Sequence, residues 1–439
     1  MIRRRLIAFV FVTGALAVFQ LGCQSSSAVP AVKPPPGQAG KLAHAHPVHF
    51  DRLHIHVVNG YGEFRGEGTT FVPRGNNYVR LARVDGFYGS SFVAHTTFHV
   101  GLYDSTRAED ALSQMEALGY NLVRVFVNGD TFGSMYRSAN GPLNNAYLAN
   151  IADFLRRAKS HGIRTVLTTG FAFGRDASFA PCSANFGGEN LRVLTSCGVA
   201  ADKGFFTDLI NGLDAAGAPM DAIFSYELRT EQIFNGNQLP LSLNAGMVTT
   251  ANGQTYDMSN AMSRQQMMDD GLVFWANEVT AQIKALAPQT FVDIGFFAPN
   301  APTVWRDNGD NTRIVKPYPA IASSNVDYVK FSLYPDQGLT LAEAAVNFGF
   351  AGFQQKPIVM GEFGELVNGF TIPQAASRLL NWQLDSCTTY HFKGWQLWTW
   401  DTEPAEQVDG PFWTAVDSNG VTTINDALAP ANRPDPCAP

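Results

Sequence analysis

Two stretches of the chain carry glutamates at the end of an apolar run: FSYELRTEQ (224–232), with Glu227 and Glu231, and PIVMGEFGE (357–365), with Glu362. Splitting a glycosidic bond needs one carboxyl to protonate the leaving oxygen and a second to attack carbon or activate water. Glu231 and Glu362 are the candidates for those two tasks. Glu227, inside its run, reads as structural and inward-pointing. A lone glutamate at a strand end also reads as a solvated or ion-paired carboxylate, so the surrounding residues must carry the argument. Arg124, in GYNLVRVF (119–126), can supply a charge that keeps a nearby carboxylate ionised, or can sit in a buried structural ion pair. Zinc chemistry through His95 and His99 is a weaker reading. HTTFH lacks the glutamate of H-E-x-x-H and a third ligand is not evident. His44, His46, His49, His54 and His56 have no cysteine or carboxylate at a ligand spacing and read as a linker entering a half-buried strand. No metal and no cofactor are expected.

The elements that would position these residues alternate. Strands are expected at TTFVPRGNNYV (69–79), YNLVRVFV (120–127), IRTVLTTGF (163–171), DAIFSYEL (221–228), TFVDIGFF (290–297), VDYVKFSLY (326–334), KPIVMGEFG (356–364) and GWQLWTW (394–400). Most are near-continuous apolar runs, the pattern of parallel strands covered on both faces. Helical periodicity fills the gaps. Ala108, Ala111, Leu112, Met115 and Leu118 form one stripe closed by Gly119, and Tyr147, Leu148, Ile151, Phe154, Leu155 and Ala158 form another closed by Gly162. Eight strands alternating with helices predict an α/β fold, a (β/α)8 TIM barrel. HVVNGYGEFRGEGTTFV (56–72) predicts an N-terminal β-hairpin capping the barrel bottom. Long loops at 172–200, 232–260 and 298–320 would wall the C-terminal face, where barrels keep their active sites. Phe173, Trp305, Trp400 and Trp413 are available to line that cleft, or equally to pack the core. A doubly wound sheet lacks the G-x-G-x-x-G that would follow its first strand.

In these motifs the chain resembles glycoside hydrolase family 5 and its clan A relatives, the cellulase and mannanase superfamily of retaining barrels, over about residues 54–430. RGNNY (74–78) resembles the first-strand Gly-x-Asn, which implies substrate-site Asn77. GYNLVRVF resembles the second-strand motif with its arginine at Arg124. YELRTE resembles the fourth-strand motif whose second glutamate is the acid/base, here Glu231. DYVKFSLYP (327–335) resembles the segment ending in a tyrosine that orients the nucleophile, here Tyr334. PIVMGEFG resembles the nucleophile strand, which implies Glu362. WQLWTWD (395–401) resembles the last strand with its sugar platform, here Trp398, with Trp400 beside it. Two positions depart from the family. Thr230 stands where it has an asparagine that binds the sugar 2-hydroxyl, and Ser332 where it often has histidine. The resemblance implies a retaining β-glycosidase of endo-β-mannanase or cellulase type, acting on a β-linked polysaccharide or oligosaccharide. The alternative is a non-catalytic carbohydrate-binding lipoprotein on the same scaffold.

The amino terminus predicts export. Arg3, Arg4 and Arg5 precede an apolar stretch, Leu6 to Phe19, too short to span a bilayer but right for a signal peptide. Gly22-Cys23 then resembles a bacterial lipoprotein signal. Residues 1–22 are thus expected to be removed, Cys23 to carry a lipid anchor to the membrane, and 23–49 to form a Pro/Ser/Ala-rich tether. Residues 50–439 form the catalytic domain, expected to be a monomer in the cell envelope or outside the cell. The remaining four cysteines allow three pairings, and proximity in sequence selects Cys182–Cys197 and Cys387–Cys437. With 45% hydrophobic residues the chain is too apolar to be disordered, and its net charge of −7 argues against a nucleic-acid partner.

Overall fold

The computed structural model describes residues 49–84, 92–127, 143–169, 186, 188–297, 317–335, 339–367, 369–401, 412–417, 420–421 and 423–438. The signal-peptide, Cys23 and tether expectations, and those for Phe173, Cys182 and Trp305, lie outside them.

Eight strands close into a parallel barrel: β1 (Arg74–Asn77), β2 (Leu122–Val127), β3 (Arg164–Thr169), β4 (Ile223–Glu227), β5 (Phe291–Phe296), β6 (Tyr328–Ser332), β7 (Ile358–Phe363) and β8 (Trp395–Leu397). β8 pairs with β1, Gln396 opposite Gly75, which closes the ring. The strands are buried on both faces, which explains their near-continuous apolar runs. Between them lie α1 (Ser105–Ala117), α2 (Asn145–Ser160), α3 (Ser196–Ala215), α4 (Ala261–Leu286), α5 (Leu341–Phe348) and α6 (Ile372–Thr388), and α7 (Thr423–Leu428) follows β8. The two expected stripes are the buried faces of α1 and α2, and Gly119 and Gly162 leave those helices at φ 79° and 69°, a conformation a Cβ resists. The chain therefore folds as a (β/α)8 TIM barrel.

Two expected strands are shorter than the apolar runs that announced them. Thr70–Phe71 pairs with Tyr61–Arg65 in the N-terminal sheet, and the barrel strand starts only at Arg74, after Pro73, whose missing N–H cannot serve a ladder. The last strand stops at Leu397. Of the long loops, 232–260 holds a small hairpin, Met247–Thr249 with Thr255–Asp257. The end of 172–200 is helical, Gly188–Leu194 running into α3.

The N-terminal hairpin, His54–Val58 with Tyr61–Arg65, does cap the barrel bottom. Its Phe64 is fully buried, 5.1–5.3 Å ring to ring from Phe224, Phe291 and Tyr328. Leu122, Val166 and Val359, all near the starts of their strands, complete this plug. The apolar floor leaves the opposite end of the barrel for polar groups.

Candidate active site

Arg124, on β2, is the hub of the barrel's upper interior. It is 1% exposed and all five of its N–H donors are engaged. Nε donates to Glu227 Oε2 at 2.7 Å and Nη2 to Glu227 Oε1 at 3.1 Å, a two-pronged pair with β4. Nη1 donates to Asn77 Oδ1 on β1 at 2.8 Å and to Glu362 Oε1 on β7 at 2.5 Å. Nη2 also reaches Thr230 Oγ1 at 2.7 Å and Thr168 Oγ1 on β3 at 3.3 Å. The Phe126 ring lies 4.8 Å from the guanidinium carbon. Arg124 is thus in a buried ion pair with Glu227 and also contacts Glu362.

Burial alone would disfavour the guanidinium charge, but Glu227 and Glu362 outweigh it and raise the Arg124 pKa. Burial likewise works against ionising Glu227, and the charges of Arg124 and Lys330 overcome it, holding this carboxyl well below the usual range. Glu227 is therefore a fixed anion that anchors Arg124.

Glu362 is held through both oxygens. Besides Arg124, Oε1 accepts from Thr230 Oγ1 at 3.3 Å, and Oε2 accepts from Tyr334 OH at 2.7 Å. Burial, then the charges of Glu362 and Glu231, push the Tyr334 phenol well above its ordinary value, so it remains a donor. The register between β6 and β7 shifts at Ser332, which pairs with Glu362. Such irregularities beside active sites re-aim side chains.

Glu231 sits on the irregular backbone that extends β4. Leu228 N donates to Asp293 O, Thr230 N to Thr169 O, and Gln232 N to Gly295 O, so the segment stays stitched to β3 and β5. Within it Glu231 adopts φ 43°, which turns it out of the strand path, half-buried, at the barrel mouth.

Two expected sugar contacts are corrected. Asn77 is fully buried, and its amide donates to Gly361 O and Leu397 O at 3.2 and 3.1 Å while its oxygen accepts from Arg124. Its hydrogen bonds hold the barrel and Arg124, and its full burial keeps it from the surface a sugar would meet. Trp400 is 2% exposed and packs edge-on against Tyr120 in the outer core. Its backbone N–H donates to Asn77 O. Trp413 is half-buried against the core with Nε1 on Phe370 O at 3.1 Å. Trp398 instead is half-exposed, edge-on to Phe126 at 5.8 Å and 6.1 Å from the His95 ring. Ser332 is 5% exposed at the end of β6. His99 packs against Tyr147, and among the described residues no group of three His, Cys, Asp or Glu could hold a metal.

Sequence reasoning passed over Thr168, Phe126, Asp293 and Lys330. The last two had a signal: a charge in the middle of an apolar strand, as in TFVDIGFF and VDYVKFSLY. Cys387–Cys437 forms as expected, with Cα atoms 4.7 Å apart. Cys197 is also disulfide-bonded.

No family model matches the chain, and no curated protein matches it in sequence. Solved structures do resemble it. An endo-1,4-β-mannanase from Rhizomucor miehei superposes with a TM-score of 0.58 at 16% identity, covering 85% of this chain and 98% of that one. A glycoside hydrolase family 5 mannosidase from the same organism gives 0.53 at 15%, over 86% and 97%. The endo-β-1,4-mannanase of Thermotoga petrophila gives 0.52 at 14%, over 83% and 77%. At these identities the likeness is one of fold, the same (β/α)8 barrel.

Proposed function

We propose that this protein is a retaining β-glycoside hydrolase acting on a β-linked polysaccharide or oligosaccharide, with β-mannan the first candidate. One observation carries the reading: both oxygens of Glu362, at the end of β7, are gripped by Arg124, Thr230 and Tyr334. A carboxylate held by a cation and a phenol is oriented, as a nucleophile must be. The same grip would suit a structural carboxylate, but Glu362 lies at the face where barrels do chemistry.

In this mechanism Glu362 attacks the anomeric carbon while Glu231 protonates the leaving oxygen. Glu231 then takes a proton from the water that releases the sugar from Glu362. The two carboxyls should stand about 5–5.5 Å apart. Trp398 offers the C–H face of a pyranose a flat apolar partner. The mannanases and mannosidase among the similar folds support a mannose-containing substrate. Ser332 is a further sugar contact in this reading.

The test is turnover on a panel of β-mannan, β-glucans and aryl β-glycosides, with NMR of the first-formed anomer. Glu362→Ala should remove activity on every substrate by three orders of magnitude or more, roughly what a lost nucleophile costs. Glu231→Ala should lose far less on an aryl glycoside whose leaving group needs no proton. Parent-like rates in both variants would remove the assignment. Sugar binding without turnover on any substrate would favour the non-catalytic reading, which the Thr230 and Ser332 replacements motivate. Export and lipidation at Cys23 rest on the amino-terminal sequence. The Cys387–Cys437 bridge suits an oxidising compartment. Mass spectrometry of the mature amino terminus checks them.

A further inference from the structure

The barrel interior holds more charge than a nucleophile and its arginine require. Such interiors are ordinarily filled by branched apolar side chains. Here Glu227, Asp293 and Lys330 stand on the adjacent strands β4, β5 and β6, each at most 1% exposed. Lys330 Nζ lies 2.8 Å from Glu227 Oε2 and 2.9 Å from Asp293 Oδ2. Two glycines clear the space. A Cβ on Gly361, the residue before Glu362, would sit 3.0 Å from the Lys330 Cβ and Cδ. A Cβ on Gly295 would sit 2.7 Å from Glu227 Oε1. The lysine stem thus crosses the floor beneath the nucleophile to reach the anion that holds Arg124.

Charges alternate along this path: Asp293, Lys330, Glu227, Arg124, Glu362. Glu227 is shared by two cations, and Arg124 by two anions. The groups facing Lys330 are Glu227 from β4, Asp293 from β5 and, on its own strand, the Tyr328 ring 5.9 Å away. Arg124 from β2 follows one contact further on and Glu362 from β7 one beyond that. Coulomb coupling between buried charges is weakly screened, so a change at one end is felt at the other.

We propose that Lys330 is a positioning residue for the reaction: by dividing its charge between Asp293 and Glu227 it limits how strongly Glu227 draws on Arg124, and so sets how much of the arginine's field is left for Glu362. This inference rests on the glycosidase reading above. Removing the lysine leaves Glu227 dependent on Arg124 alone and takes a cation from beneath the nucleophile. Removing the Asp293 charge does the opposite, since Lys330 then serves Glu227 alone.

The experiment compares Lys330→Met, Lys330→Arg and Asp293→Asn with the parent, on the β-linked substrate that the parent turns over in the panel above. The readouts are kcat, KM and the acidic limb of the kcat/KM pH profile, which reports the free enzyme's nucleophile. Lys330→Met should lower kcat by about tenfold or more, leave KM within about twofold, and move the acidic limb up by about one pH unit. Lys330→Arg should recover most of the loss. Asp293→Asn, whose parent carboxyl is ionised only above about pH 6, should change kcat above that pH in the sense opposite to Lys330→Met and leave the acidic limb in place. The opposed signs are what a merely structural lysine would not produce, and Asp293→Asn, nearly isosteric, carries the test if Lys330→Met does not fold. An active parent whose limb stays put in Lys330→Met, or whose kcat above about pH 6 moves the same way in Lys330→Met and Asp293→Asn, overturns the role of Lys330 alone. A parent inactive across the panel overturns the glycosidase reading and this inference with it.

Discussion

Thr230 Oγ1 accepts a hydrogen bond from Arg124 Nη2 at 2.7 Å and lies 3.3 Å from Glu362 Oε1, to which it donates. Its one hydroxyl proton is thus directed at the proposed nucleophile. An asparagine at this position would have a second donor for a sugar hydroxyl, and threonine has none to spare. Thr230→Ala should therefore act on the chemical step. A hydrogen bond to a buried ion is worth about 1.5–3 kcal/mol, so kcat should fall roughly ten- to a hundredfold with KM little changed. Steady-state kinetics decides it, because a loss confined to KM would make Thr230 a sugar contact instead.

Phe64 is the plug of the barrel floor. It is fully buried and its ring meets Phe224, Phe291 and Tyr328. Phe64→Ala should cost about 3–5 kcal/mol, the usual range for emptying a buried aromatic site. Urea unfolding measures it. A loss below about 1 kcal/mol would mean that the cap is only loosely seated.

Asp293 should give the protein a stability that declines in mild acid as pH rises. Burial pushes its carboxyl up to about 6, with Lys330 opposing that rise and Glu227 adding to it. Between the ordinary carboxylate value of about 4 and that level, the folded chain keeps a proton the unfolded chain has released. Stability then falls with rising pH across this window. Glu227 acts the other way at lower pH: its depressed value adds stability at neutral pH that is lost as pH falls below about 4. Asp293→Asn should remove this fall in stability, up to about 3 kcal/mol across the window. Urea midpoints taken from pH 4 to 7 would show it, and an unchanged slope would refute it.

The Cys387–Cys437 bridge joins the last turn of α6 to the C-terminal segment, 50 residues on. Loop closure of that length predicts a loss of about 4 kcal/mol for Cys437→Ser. Chemical denaturation of variant and parent tests this. A much smaller loss would show that polar ties such as Arg433 Nε to Ala427 O and Trp395 Nε1 to Asp435 already hold the segment.

The amino-acid sequence by itself determined the barrel. Parallel strands buried on both faces must be apolar throughout, and helices facing them must carry a stripe, so period and run length announce the elements. The resemblance of its motifs to a known family also implied one constellation of Arg124, Glu362 and Tyr334, and the hydrogen bonds of Glu362 join the three. Run length alone could not separate Thr70–Phe71 from β1, since the two lie in one stretch of chain and only pairing tells them apart. Nor could it say that Asn77 and Trp400 are buried. The direction of a side chain depends on which carbonyls and rings surround it, and those come from residues hundreds of positions away: Asn77 is fastened by Gly361 and Leu397. Lys330, Asp293 and Glu227 looked like isolated charges in three separate strands. Only closure of the barrel brings them into contact, because a buried charge is tolerable only beside its counter-ions, and that neighbourhood is a property of the ring rather than of any one strand.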